Sequence, residues 1–208
     1  MHKNQSGDKG HQNHDTGRMN PNNISGASYQ RSWTTQLSEK PTNQMVNDMC
    51  FVCGVDNFAG LHAQFVQSNK PGVVEAFFVA KEIHMSYPGR LHGGIAAAIC
   101  DETIGRAFLT NHEDAWGVTM TMNLRYKKPT PLNENLVCRG EITRETSRTF
   151  EGKGELMTAD GTVCVSAEAT YMKIPLDTII AQGNQPDQEN SYVWKVDTRP
   201  LPKGYSRN

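Results

Sequence analysis

The chain has 208 residues, enough for one domain with a sizeable core. Its 21 basic and 22 acidic side chains leave a formal net charge of -1, so it carries no global field that would draw it to nucleic acid or to a membrane surface. Only 37% of the residues are hydrophobic, and the shortage lies at the two ends.

Residues 1–46 are rich in Asn, Gln, Ser, Gly and Lys and lack apolar periodicity, which predicts a disordered polar arm. His2, His11 and His14 fall there without a rigid scaffold or a cysteine partner, so they do not read as metal ligands. The start lacks the apolar stretch of a secretory signal, Asp8 and Asp15 argue against a mitochondrial presequence, and no run approaches the roughly 20 apolar residues of a membrane span. A cytoplasmic protein is the expectation.

Next comes "CFVCGVDNFAGL", with Cys50 and Cys53 as the single C-x-x-C among five cysteines. A zinc site would need two more ligands, and Cys100, Cys138 and Cys164 lie on other elements; a redox pair would open an amphipathic helix after a strand, which this one does not, so no metal or cofactor is expected and the pair reads as buried structural thiols. "LHAQFVQS" and "GVVEAFFVA" predict a hairpin about the turn 69–72.

"GRLHGGIAAAICDETIGRA", residues 89–107, predicts a long helix that Gly93 and Gly94 open. Glu102 has an ordinary partner in Arg106 four residues on. Asp101 has none. It lies on a stripe with Gly94, Ala97, Ala98, Ile104, Gly105 and Phe108, where an unpartnered carboxylate is costly, and that cost hints at use. His92 before a glycine-rich helix start leaves unpaired N–H groups and a partial positive charge for a carbonyl or an anion.

After the helix, "WGVTMTMNLRY" alternates, with Val118, Met120, Met122, Leu124 and Tyr126 on one face and Thr119, Thr121, Asn123 and Arg125 on the other. "ENLVCRGEITRET", "TFEGKGELMTAD" and "TVCVSAEATYMKI" predict three more strands, and residues 176–208 turn polar again, with Trp194 as a weak docking signal. An α+β fold follows: an antiparallel sheet wrapped around one long helix that is buried on nearly every side.

The order of these elements, with "HGGIAAAICDE" heading the helix and "GVTMTMNLRYKKPTPL" in the next strand, resembles the hotdog-fold acyl-CoA thioesterases of the PaaI-like branch over residues 47–175. The resemblance implies a thioester hydrolase acting on acyl-CoA, in which Gly93 and neighbouring N–H groups, Gly94 among them, polarise the carbonyl. Asp101 is then general base or nucleophile, His92 positions that loop or bonds the carbonyl, and Thr119, with Thr121 as the alternative, sets a hydroxyl beside the carboxylate. Some members of the branch have an asparagine six residues before the histidine, where this chain has Ser86. That departure keeps open a second reading, a non-catalytic acyl-CoA-binding protein or a partner subunit in a biosynthetic assembly. Arg125, Lys127, Lys128, Arg144 and Arg148 sit at predicted strand ends and are candidates for the phosphates of coenzyme A.

Geometry adds an expectation about assembly. From Gly94 to Asp101 is about 10 Å along a helix axis, too far for both to touch one thioester carbon. Sites shared between chains, in a homodimer or a dimer of dimers, remove the difficulty, and the resemblance implies the same.

Overall fold

The computed structural model describes residues 42–112, 114–182 and 194–202. In chain order the elements are β1 (Thr42–Asn43), β2 (Met45–Asn47), β3 (Gln64–Gln67), β4 (Val73–Val79), β5 (Met85–Tyr87), β6 (Arg90–Leu91), α1 (Gly93–Phe108), β7 (Ala115–Tyr126), β8 (Asn135–Glu145), β9 (Thr149–Thr158), β10 (Val163–Pro175), α2 (Leu176–Gln182) and β11 (Trp194–Val196). The principal sheet has seven strands in the order β1-β3-β4-β8-β9-β10-β7, every neighbour antiparallel. Helix α1 lies across it. This is the α+β hotdog architecture, with its long helix running from Gly93 to Phe108.

The helix can approach because the strands beneath it carry no side chains where it crosses. A Cβ built on Gly140 of β8 would stand 2.6 Å from the carbonyl oxygen of Thr103, and one on Gly152 of β9 would stand 2.4 Å from Ile104 Cγ2. Onto that floor α1 presents Ala96, Ile99, Cys100, Thr103, Ile104, Ala107 and Phe108, all buried. Thr103 satisfies its hydroxyl within the helix, donating to the carbonyl of Ile99 at 2.6 Å.

Two expectations change here. The buried face of α1 is not the stripe about Asp101: Ala97, Ala98, Asp101 and Gly105 are only half-buried, because the sheet of one chain covers one side of the helix and not nearly all of it. The boundaries at 46 and 175 also leave out residues that the structure pairs into sheets. Thr42 and Asn43 pair with β3, Val46 is buried, and β11 pairs with β2. Trp194 meets Trp116 edge-on at 4.9 Å, and the Arg199 guanidinium donates to the carbonyls of His62 and Ala63 at 2.7 and 3.1 Å. Composition hid this because the stretch is fastened by polar bonds to backbone rather than by an apolar run. The rest of the expected arm, His2, His11 and His14 included, lies outside the described residues, as do 183–193 and 203–208.

Gly140→Ala drives a methyl into the backbone of α1, which has no rotamer with which to yield. A loss of about 1–3 kcal/mol is expected, read as a lower urea midpoint with an unchanged m-value; an unchanged midpoint would show that the helix can lift at no cost.

Candidate active site

The N-terminus of α1 is capped by the residue before it. His92 Nδ1 accepts from the N–H of Gly94 at 3.0 Å, and the His92 carbonyl accepts from the N–H groups of Ile95 and Ala96, each at 3.0 Å. Because Nδ1 accepts, the proton of a neutral His92 ring sits on Nε2, an assignment made from the hydrogen-bond network. Of the first helical N–H groups, that of Gly93 alone has no partner among the described residues. The sequence offered both glycines as donors toward a carbonyl. The structure engages Gly94 and leaves Gly93.

Beside Gly93, Tyr126 at the end of β7 donates its hydroxyl to the Gly93 carbonyl at 2.9 Å. A pocket of about 350 Å³ opens there, lined by Ser86, Tyr87, Arg90, Leu91, Gly93, Ala96, Tyr126, Lys127, Lys128, Pro129 and Thr130. Three cations, Arg90, Lys127 and Lys128, are among its lining residues. The segment leading into it is held by His84, buried, whose Nδ1 accepts from the Lys81 N–H at 3.0 Å and whose Nε2 lies 3.1 Å from the carbonyl of Ala59.

Further along α1, the Asp101 carboxylate is gripped on one oxygen. Oδ1 accepts from Thr119 Oγ1 at 2.8 Å and from the Tyr171 hydroxyl at 3.0 Å, and that hydroxyl also lies 3.0 Å from the Asp101 carbonyl. Oδ2 has no partner among the described residues. Thr119 reaches inward through a β-bulge: Thr170 and Tyr171 on β10 pair with Thr121 and Thr119 on β7, leaving Met120 as the extra residue. Cross-strand partners share a face, so Thr119 and Tyr171 face the helix together while Thr121, opposite Thr170, faces away. The uniform alternation read from sequence therefore breaks at Met120, and Thr121 is not part of the carboxylate site.

Tyr171 was not singled out by sequence reasoning. It is 1% exposed and closes a stack of rings, Phe150 on Tyr171 at 4.7 Å and Phe108 on Phe150 at 4.3 Å, with His112 on Phe108 at 4.1 Å. Burial, reinforced by the adjacent Asp101 charge, pushes its phenol far above the ordinary tyrosine range, so it remains a donor. A tyrosine among alternating strand residues carries no signal of this; only the bulge register aims it.

The basic residues separate. Lys127 and Lys128 reach the pocket, whereas Arg125, next to Tyr126 on β7, lies on the outer face of the sheet with Arg139 and Lys153. Arg148 is in the β8–β9 turn, its carbonyl accepting from the Lys173 N–H opposite Gly117, roughly 26 Å along β7 from Arg125. Arg144 pairs with Glu151 at 3.2 Å. Arg106 is more than the surface partner of Glu102. It bonds that carboxylate at 2.8 Å, donates to the Met45 carbonyl at 2.8 Å and to Cys53 Sγ at 3.3 Å, and lies over the Phe65 ring at 4.2 Å while 3% exposed.

Helix and sheet order define a hotdog domain, and residues 88–165 match the family model described as the thioesterase superfamily. The chain is 32% identical to human acyl-coenzyme A thioesterase 13 over 78 residues, which is 38% of this chain and 56% of that protein. It thus spans little more than half the length of the curated relatives it matches. A crystal structure of a thioesterase superfamily protein superposes with a TM-score of 0.54 at 28% identity, covering 60% of each chain. A phenylacetic acid degradation-related protein from Ralstonia eutropha JMP134 superposes at 0.50 and 25% identity, covering 54% of this chain and 85% of that one. Among the described residues no helix is long and apolar enough to cross a membrane.

A hydrogen bond to a charged group is worth about 2 kcal/mol. Tyr171→Phe keeps the ring stack and removes that bond, so a loss near this size is expected in urea unfolding, and most of it should vanish in an Asp101→Ala background, which has no side-chain acceptor. Additive losses would show that the hydroxyl acts elsewhere.

Proposed function

We propose that the protein is an acyl-CoA thioesterase, releasing a free acid and coenzyme A, with Asp101 as general base or nucleophile. The observation that carries this reading is the one-sided grip on Asp101: two hydroxyls fix Oδ1 and leave Oδ2 free to take a proton from water or to attack a carbonyl. The Gly93 N–H and the His92 Nε2–H are the donors for the oxygen that gains charge, supported by the geometry of the cap. The acyl end of the substrate lies over Gly93 and Ala96, and Lys127 and Lys128 meet coenzyme A phosphates at the pocket mouth. Ser86, in the place of the asparagine of some relatives, contributes only a short hydroxyl at the pocket wall, so orientation of the carbonyl rests on the helix start. A cytoplasmic setting agrees with free thiols at all five cysteines.

The two halves of the site belong to different chains. Among the described residues strand β7 ends the sheet with one side unpaired over 12 residues, exposing Val118 and Met120, an edge that a second β-strand would cover. Within one chain Asp101 sits against Thr119 and Gly93 against Tyr126. A twofold antiparallel pairing of β7 with its copy, centred on Asn123 with Met120 skipped in each strand, sets Thr119 opposite the partner's Tyr126 and keeps cross-strand partners on one face. It thereby brings each carboxylate to the other chain's helix start.

Purified protein offered a panel of acyl-CoA esters, with the released thiol detected, is expected to turn over at least one of them. Saturable binding without thiol release would instead favour the non-catalytic reading. Asp101→Asn should keep the fold and lower kcat about a hundred- to ten-thousandfold; near-unchanged turnover would sink the mechanism.

Gly93→Asp places a negative charge at the carbonyl site, and because only the exposed Tyr126 ring stands 3.4 Å from the new Cβ the fold should survive. Refolded together with Asp101→Asn, half of the dimers are mixed and roughly a quarter of all sites escape both lesions. Recovery toward that fraction is expected; none, with mixed dimers demonstrated, would mean that each chain builds its own site.

A further inference from the structure

We propose that Cys50 and Cys53 are a redox-active dithiol that is oxidised by small hydroperoxides to an intramolecular disulfide. The thioesterase reading does not use either sulfur, and the geometry of the pair differs from that of a packed structural thiol. The Gly54 N–H donates to the Cys50 carbonyl at 2.9 Å, closing one helical turn that sets the two side chains on the same side. Only glycine fits at 54, since a Cβ there would stand 2.3 Å from the Asp48 carbonyl oxygen and 2.5 Å from that of Cys50. The turn is pinned from both sides by Leu61 and Ala63, whose N–H groups donate to the Phe51 and Val52 carbonyls at 2.9 and 2.8 Å.

The two sulfurs are inequivalent. Cys53 is fully buried, whereas Cys50 is half-buried and its Sγ accepts from the Val52 N–H at 3.4 Å. The bond from Cys53, against the opposing pull of burial, brings the Cys50 thiol down to about 6, while Cys53, as the donor, is held well above the ordinary thiol range. An accessible thiolate beside a buried, protonated partner is the asymmetry that a two-step oxidation needs. The Cys50 thiolate attacks an oxygen of hydrogen peroxide, the O–O bond breaks, and a sulfenic acid forms as hydroxide leaves and takes a proton from solvent to become water. Cys53 then attacks Cys50 Sγ, the S–O bond breaks, and the departing hydroxide takes the Cys53 proton as a second water. Two thiols are oxidised and one peroxide is reduced.

The two sulfurs and the Glu102 carboxylate lie within 4.8 Å of one another, an arrangement that could also hold a soft divalent cation. Arg106 already supplies the cation, bonded to both Cys53 and Glu102 and buried against Phe65. Charge therefore favours redox chemistry over a metal. The other close pair, Cys100 and Cys138 with sulfurs 3.9 Å apart, is fully buried on both sides and serves as an internal control.

The full chain is exposed to hydrogen peroxide, its remaining thiols are alkylated with N-ethylmaleimide under denaturing conditions, and the peptides are weighed. The peptide holding Cys50 and Cys53 is expected to lose both alkylation sites and two hydrogen atoms, to regain both sites after dithiothreitol, and to change while Cys100 and Cys138 remain alkylated. In Cys53→Ser the reaction should halt at a Cys50 sulfenic acid that dimedone traps. Two alkylated thiols after peroxide in the wild-type chain would overturn the proposal whether or not the variant folds. Oxidation of Cys100 and Cys138 at the same dose, or retention of added zinc that shields the pair from alkylation, would overturn it too.

Discussion

The depth at which α1 sits on the sheet governs everything built on it. Gly140 and Gly152 remove the Cβ atoms that would hold the helix away, and Thr103 and Ile104 drop into the space. Protein interiors pack too densely to absorb a shift of even one methyl group without rearrangement, so this contact fixes the height of every other residue on α1. Asp101, half-buried at the edge of the contact, is within reach of two hydroxyls from neighbouring strands because the helix is this low.

The same helix ties the periphery to the site. Arg106, one turn beyond Glu102, donates to the Met45 carbonyl of β2 and to Cys53 of the C-x-x-C turn, and lies 5.3 Å from the Trp194 ring of β11. Taking a guanidinium out of water is costly unless its donors are met, and here each of three nitrogens has a partner. The terminal strands are thereby fastened to the element that carries the carboxylate.

Much of this is legible in the residues themselves. Hydrophobic periodicity locates α1 and the principal strands, and helical spacing sets Asp101 apart as a charge on a small-residue stripe. What escapes is decided by register. An alternating run of 12 residues gives no sign of where one residue is skipped, so the inward turn of Thr119 and the outward turn of Thr121 are hidden, and Tyr171 with them. Arg106 escapes for another reason: an i,i+4 partner offers a complete local account, and nothing local reveals that Met45 and Cys53 converge on the same guanidinium. The docked stretch at 194–202 eludes composition because polar side chains and backbone carbonyls fasten it.

The bulge at Met120 also bears on how the gene can change length. Removing a residue elsewhere along a strand exchanges inward and outward sets beyond the cut, which in β7 would turn Leu124 or Thr119 the wrong way. At Met120 the ladder already skips one position, so losing that codon leaves both sets in phase. Single-codon length variation within β7 should therefore be tolerated at this point, with local twist rather than the facing of side chains as what is given up.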